Sequence, residues 1–184
     1  MRSLLEDLEA AAAFHGHLCS GMVLGVRMAR LALNQLGIQE PHRYRDLVVY
    51  VEMDRCASDA VSVVTGCTLG RRRLKWVDYG KMAATFVDLA SGRAIRVSAG
   101  TKHYSPGEDE DLLQYWEKIP DEAIFRIQTV LIEIRPEDMP GRPLRAVTCA
   151  ACGEQVRDRR EIIEGGQCLC RACAGGAYYR LIEG

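Results

Sequence analysis

Apolar and polar positions along the chain change period several times, and each change marks an expected element. Ser3 followed by Glu6 has the spacing of a capping box, and the SLLEDLEAAAAF stretch is a good helix former, so a first helix leads into FHGHLCSG. From Gly21, GMVLGVRMARLALNQLG carries Val23, Val26, Leu31 and Leu33 among many other apolar groups. It predicts a second, largely buried helix with Gly37 suited to its left-handed end. LVVYVEM, Leu47 to Met53, is β-branched and nearly all apolar, the pattern of a central strand covered on both faces. DRCASDAVSVVTG predicts a short helix capped by Asp54 or Ser58. Further strands are expected at KWVDYG, at MAATFVDLA paired with RAIRVSA through Ser91 and Gly92, and at FRIQTVLIEI, with a helix over EDEDLLQYWEKI. This order fits an α+β layer with a mixed sheet and helices on at least one face.

A boundary is expected in RPEDMPGRPL, Arg135 to Leu144, where prolines and a glycine cluster and the composition turns cysteine-rich. The 184 residues then divide into an α+β domain at 1–140 and a small appendage at 141–184. With 24 basic against 25 acidic residues, no global field favours nucleic acid or a membrane. Glu6, Asp7 and Glu9 interrupt what would be the apolar core of a signal peptide, and no apolar run approaches the roughly 20 residues that cross a bilayer. A soluble, cytoplasmic protein is expected. There the eight cysteines read as metal ligands or reactive thiols rather than disulfides.

Cys149 and Cys152 form one C-x2-C pair, Cys170 and Cys173 another, with 17 residues between them. Each pair can aim two thiolates at one ion, so the tail reads as a closed, structural zinc site. About 40 residues cannot build an adequate core alone, and the metal would serve as one. VRDRREIIEGGQCLC supplies a hairpin between the pairs, and Gly153 suits the tight backbone of a knuckle. Cys168 is a fifth thiol, a spare or a substitute for Cys170. The tail's seven arginines against five acids are thin for a phosphate-binding surface, so nucleic-acid binding is disfavoured. The dense basic run RRRLK, Arg71 to Lys75, reads first as a solvated turn and second as an anion or partner contact.

In the front domain Cys19 and Cys56 each fall in a loop just before an expected helix, where free amide N–H groups and the helix dipole favour a thiolate. His15 and His17 stand beside Cys19, and an imidazole next to a thiol stabilises its anion or joins it on a metal. Cys19, Cys56 and His17 are therefore the candidate catalytic groups, and His15, His17, Cys19 and Cys56 the candidate metal ligands. The competing reading makes them a buried thiol and a satisfied imidazole. Cys67 belongs to the same pocket or to the core. Asp54 and Asp59 are helix-start charges first and proton acceptors second, while Asp78 and Lys81 of DYGKMA read as a strand boundary.

FHGHLCSGMVLGVRMA, VEMDRCASDAVSVVTGCTLG, DYGKMA and the tail CAAC with CRAC together resemble the E-subunit-like family of formylmethanofuran dehydrogenase, in order and over nearly the whole chain. The resemblance implies a thioredoxin-like domain with a five-stranded mixed sheet, a C-terminal treble-clef zinc finger and a homodimer. It implies an active site at His15, His17, Cys19 and Cys56 that holds zinc in some members, and an association with a molybdenum or tungsten oxidoreductase. Ser20 stands where the family commonly has proline, which loosens the turn and adds a hydroxyl.

Two metal sites are thus expected: structural zinc in the tail, and zinc or another transition metal in an open front pocket, held by three of His17, Cys19 and Cys56 with His15 or Cys67 as alternates. Such a pocket would serve redox chemistry, sulfur or metal delivery, or maturation of a molybdenum-type enzyme. The alternatives are a non-catalytic accessory subunit docking through its finger, or a nucleic-acid-binding regulator.

Overall fold

A computed structural model describes residues 1–184 except 101, 103, 105, 108, 109, 183 and 184, and the chain forms two compact units, Met1–Glu133 and Ile134–Gly184. The first unit opens with helices α1 (Leu4–His15) and α2 (Ser20–Leu36). Both ends of α1 are set by local chemistry. The Ser3 hydroxyl accepts from the Glu6 amide while the Glu6 side chain accepts from the Ser3 amide, and Gly16, at φ 98°, closes the other end by donating to Ala12 O. Gly37 ends α2 in the same left-handed conformation.

Then follow β1 (Leu47–Val51), α3 (Cys56–Thr65), β2 (Leu74–Trp76), β3 (Ala83–Asp88), β4 (Ala94–Ala99), α4 (Leu112–Glu117), α5 (Asp121–Ile124) and β5 (Phe125–Val130). The strands make one five-stranded mixed sheet in the order β2-β1-β3-β4-β5. β1 and β2 are parallel, as a crossover through α3 allows, and the other pairs are antiparallel. Registered neighbours Val49, Phe86 and Ile95, and likewise Val51, Ala84 and Val97, put one face into the core with Met22, Val26 and Leu33 of α2. Each such large side chain, taken fully out of water, stabilises the fold by roughly 1.5–3 kcal/mol. The opposite face carries Tyr50, Thr85, Arg96 and Gln128 in register; Arg96 holds Glu52 through two bonds of 2.7 Å each and donates to Gln128 at 3.1 Å.

Helices α2 and α3 approach to backbone contact. A Cβ on Gly25 would lie 2.6 Å from Ala57 O and 2.7 Å from both Ala57 Cα and Ala60 Cβ. Only glycine fits opposite these alanines, because the opposing atoms are backbone or short, rigid side chain. This contact fixes where α3 begins relative to the start of α2.

Several boundaries differ from the sequence reading. β1 stops at Val51 and β2 at Trp76, the last registered pair, with one more bond from Val77 N to Val51 O at 2.9 Å. β5 stops at Val130 because its partner β4 begins at Ala94, opposite that residue; Leu131 is 83% exposed. α3 starts after Arg55 with no side-chain cap, and the Ser58 hydroxyl instead donates to Arg55 O at 2.8 Å. The helix expected over EDEDLLQYWEKI is the single stretch α4 capped by Asp111; residues 108 and 109 lie outside the described ones. RRRLK is not wholly a solvated turn, since Arg73 is buried and donates to Tyr44 O at 2.9 Å and Gly66 O at 3.1 Å.

The second unit holds two small antiparallel pairs, β6 (Ala146–Thr148) with β7 (Gln155–Arg157) and β8 (Ile162–Glu164) with β9 (Gln167–Leu169), then α6 (Arg171–Gly175). Gly165 and Gly166, at φ 57° and 78°, form the two-residue turn joining β8 to β9, where both positions need a left-handed backbone.

Two outcomes follow. Replacing Gly25 with Ala should destabilise the first unit by about 1–3 kcal/mol despite alanine's better helix propensity, read as a lower denaturation midpoint. The second concerns Tyr44, whose hydroxyl donates to Asp88 at 2.5 Å and is pushed up to about 12, first by that bond and then by burial. A phenol raised above its usual value near 10 stabilises the fold fully below about pH 10 and loses that contribution as pH climbs toward about 12. Tyr44→Phe should cost roughly 1 kcal/mol at neutral pH and abolish this alkaline component of the stability profile.

Candidate metal centres

Three helix termini converge at the front of the first unit. α1 ends at His15, Gly16 reverses the chain, and after His17 and Leu18 the next helix opens with Cys19 as its N-cap. The donor atoms of His15, His17 and Cys19 lie within 4.8 Å of one another, a spacing that can hold a metal ion. The two imidazoles sit 4.9 Å apart between centroids at 42°. His15 and Cys19 are half-buried and His17 is exposed, so the cluster opens to solvent on the His17 side.

Asp59, in the first turn of α3, accepts a 2.9 Å hydrogen bond from Nδ1 of His15. In the neutral ring this bond fixes the tautomer and leaves the Nε2 lone pair free for a ligand role, as carboxylates do behind metal-binding histidines. Two imidazoles and a thiol are a donor set that zinc and several other transition ions accept. Three protein donors leave room for a fourth ligand.

Cys56 is the first residue of α3 and adjoins Cys19 without joining the three-donor group. A Cβ on Gly21 would lie 3.7 Å from the sulfurs of both Cys19 and Cys56 and 3.1 Å from Cys56 Cβ, so Gly21 keeps open the space they share. The helix start does not activate Cys56 as expected. Its thiol is pushed up, first by burial, then by the hydrogen bond with Cys19 and the charge that sulfur would carry, with Asp59 adding to the effect. Ser20, the residue in place of the expected proline, accepts from the Trp116 indole at 3.3 Å.

The other front candidates separate from this cluster. Cys67 is fully buried in the core, its thiol donates to Leu47 O at 3.5 Å, and burial pushes its pKa up. Asp54 is exposed beside Arg55. Asp78 and Lys81 lie in the connection between β2 and β3, with the Lys81 ammonium over the Tyr79 ring. A groove of about 590 Å³ lies elsewhere on the same unit, lined by Leu8, Val23 and Trp116 among others, with Arg27 tied across it to Asp121. Its size does not make it the chemical centre, because among the described residues no cluster of metal-binding groups faces it.

In the second unit the donor atoms of Cys149, Cys152, Cys170 and Cys173 all lie within 4.8 Å of one another. Gly153, at φ 77°, folds the first pair back so that its amide donates to Cys149 O. Amides also point at sulfur: Cys170 N donates to Cys149 Sγ at 3.2 Å and Cys173 N to Cys170 Sγ at 3.4 Å. Backbone donation from Cys152 and then Cys170 brings the Cys149 thiol down to about 6, whereas hydrogen bonds with Cys170 and then Cys152 push Cys173 up to about 12. Sulfurs competing for protons around one thiolate are the donor set a tetrahedral cation takes. Cys168, on β9, is outside this group, and its carbonyl accepts from Ala150 N at 2.8 Å, tying the two knuckles together.

The sequence reading gave little weight to Asp59 and none to Gly21 and Gly25. The two glycines lie at i and i+4 on α2, Gly21 facing Cys19 and Cys56 and Gly25 facing Ala57 and Ala60, and were visible as small residues at helical spacing. Nothing local paired those two helices.

With this architecture, the family model described as "FmdE, Molybdenum formylmethanofuran dehydrogenase operon" matches residues 14–129. The chain belongs to the FmdE family. A solved structure, that of a tungsten formylmethanofuran dehydrogenase FmdE-like protein from Syntrophus aciditrophicus, has the same fold, with a TM-score of 0.61 at 24% identity over 97% of this chain and 96% of that one. A protein of Archaeoglobus fulgidus named "Probable S-adenosyl-L-methionine-binding protein" is 32% identical over 94% of this chain. The chain spans about half the length (53%) of that relative. Among the described residues no helix is long and apolar enough to cross a membrane.

Replacing Asp59 with Asn should weaken metal binding at the front cluster by roughly 10–100-fold, as loss of a supporting carboxylate does. Cobalt(II) titration followed by its visible absorption should show this loss with the four-thiolate signal unchanged.

Proposed function

We propose that this protein carries two metal ions with different duties: structural zinc on Cys149, Cys152, Cys170 and Cys173, and an exchangeable transition metal on His15, His17 and Cys19. The observation that carries this reading is the three-donor cluster with Asp59 behind His15 and an open side at His17. When bound, such an ion supplies a Lewis-acidic or soft site with a free coordination position. The chain's own residues present Nε2 of His15, a second imidazole and one thiolate, with Cys56 in reserve against Cys19. An open site of this kind suits handling of sulfur or a metal on behalf of a molybdenum or tungsten enzyme, in keeping with the operon association in the family's description. The S-adenosyl-L-methionine binding in the archaeal relative's name is not carried over, because that protein is about twice as long.

Unlike the first unit, the tail has a single buried apolar side chain among the described residues, Cys149 at 1% exposure. The sulfur cluster stands in for its core, which supports a structural rather than a catalytic ion. A second reading, an accessory subunit docking through the finger, draws on the exposed side chains of Tyr178, Leu181 and Ile182 that follow it.

Protein purified without oxygen should contain two ions per chain by elemental analysis. Cys19→Ala should lose one and Cys149→Ala the other, with hydrogen exchange rising only over residues 146–175 in the latter. A single ion, lost only with Cys149→Ala, would favour the accessory reading.

A further inference from the structure

Cys56 stands against Cys19 but apart from the imidazoles, and this asymmetry gives the two thiols different partners. Cys19 shares its surroundings with His15 and His17; Cys56 has Cys19. Each cysteine is anchored at a helix start, Cys19 as the cap of α2 and Cys56 as the first residue of α3. Those helices are locked by the contact at Gly25, and Gly21 puts no side chain of its own beside the two sulfurs. Both sulfurs lie 3.7 Å from one point, the place a Cβ on Gly21 would take, and rotation about the Cα–Cβ bonds is the motion that brings them toward each other.

We propose that Cys19 and Cys56 are a dithiol that closes to a reversible disulfide with hydrogen peroxide as oxidant, and that closure withdraws Cys19 from the site with His15 and His17. The consequence for the metal rests on the two-metal reading; the bond itself rests on geometry alone. In the first step the Cys19 sulfur attacks one peroxide oxygen, the O–O bond breaks, and a sulfenic acid and one water form. In the second, the Cys56 sulfur displaces that hydroxyl, the S–S bond forms and a second water leaves. The two thiol protons end in the two waters. The two electrons lost by sulfur reduce the O–O bond, so two thiols and one hydrogen peroxide balance one disulfide and two waters.

Closure consumes the only sulfur of the three-donor cluster. Two imidazoles remain, too few to retain an ion firmly. The bond and the metal therefore exclude each other, and the site takes either a cation or an oxidant's electrons. Cys67 is excluded as the partner, being fully buried on Leu47 O.

The 184-residue chain, loaded with zinc, is treated with graded hydrogen peroxide, its free thiols are alkylated, and the unreduced tryptic digest is read by mass spectrometry. The expected product joins the peptide Ser3 to Arg27 with Cys56 to Arg71 at a mass two hydrogens below their sum plus one alkyl group on Cys67, with fragmentation placing the bond on Cys56. One zinc equivalent should leave as the bond forms and rebind after reduction. Under the same dose Cys56→Ser should form no such product. Full alkylation of Cys19 and Cys56 after the tail cysteines have oxidised, or Cys19 bonded to Cys67 or Cys168 instead, would overturn the proposal. A Cys19–Cys56 bond in protein that never held a front metal would sustain the dithiol and overturn the metal site.

Discussion

The backbone contact between α2 and α3 at Gly25, Ala57 and Ala60 is the constraint on which the front site depends. Cys19 lies at the start of one helix and Cys56 and Asp59 at the start of the other, so the crossing point decides whether these groups share a volume. A larger side chain at position 25 would wedge the helices apart. The buried sheet face adds to this, since Val49, Phe86 and Ile95 belong to the same core as the buried side chains of both helices. α1 enters from the other direction, and the turn at Gly16 places His15 on Asp59 and His17 beside Cys19. Packing sets the positions of the donors, and the bond to Asp59 sets the tautomer of neutral His15.

The two units hold themselves together by different physics. In Met1–Glu133 a continuous apolar core does the work, and buried charged groups have polar partners, as Glu52 has in Arg96 and Arg73 in two backbone carbonyls. In Ile134–Gly184 the short strands bury almost nothing apolar, and four sulfurs occupy the place of a core. Backbone amides aimed at Cys149 favour negative charge there, while the neighbouring thiols hold their protons more tightly. A cation held there would resolve this competition by replacing protons, and folding of the tail would then be coupled to ion binding.

Features written in short-range chemistry were legible in the sequence. The Ser3–Glu6 capping box, the left-handed end at Gly37, the apolar run of β1 and the two C-x2-C pairs each depend on residues within a few positions. The mixed α+β architecture and the turn at Ser91 and Gly92 followed from them. What failed depended on partners distant in the chain. β2 and β5 end where neighbouring strands end, which no property of KWVDYG or FRIQTVLIEI records. Arg73 sits in a run of basic residues yet is buried, because carbonyls of Tyr44 and Gly66 await its guanidinium. At the site the residue types were readable and their grouping was not: Cys56 joins Cys19 alone, and Asp59 serves His15 rather than a cap.

The most direct measurement of the central claim is an anomalous difference map from crystals grown without oxygen in the presence of zinc, with data collected on both sides of its absorption edge. The account predicts two peaks, one enclosed by Cys149, Cys152, Cys170 and Cys173 and one bounded by the Nε2 atom of His15, a ring nitrogen of His17 and the sulfur of Cys19. A single peak in the tail, with the two imidazoles and Cys19 ordered but turned away from one another, would contradict it.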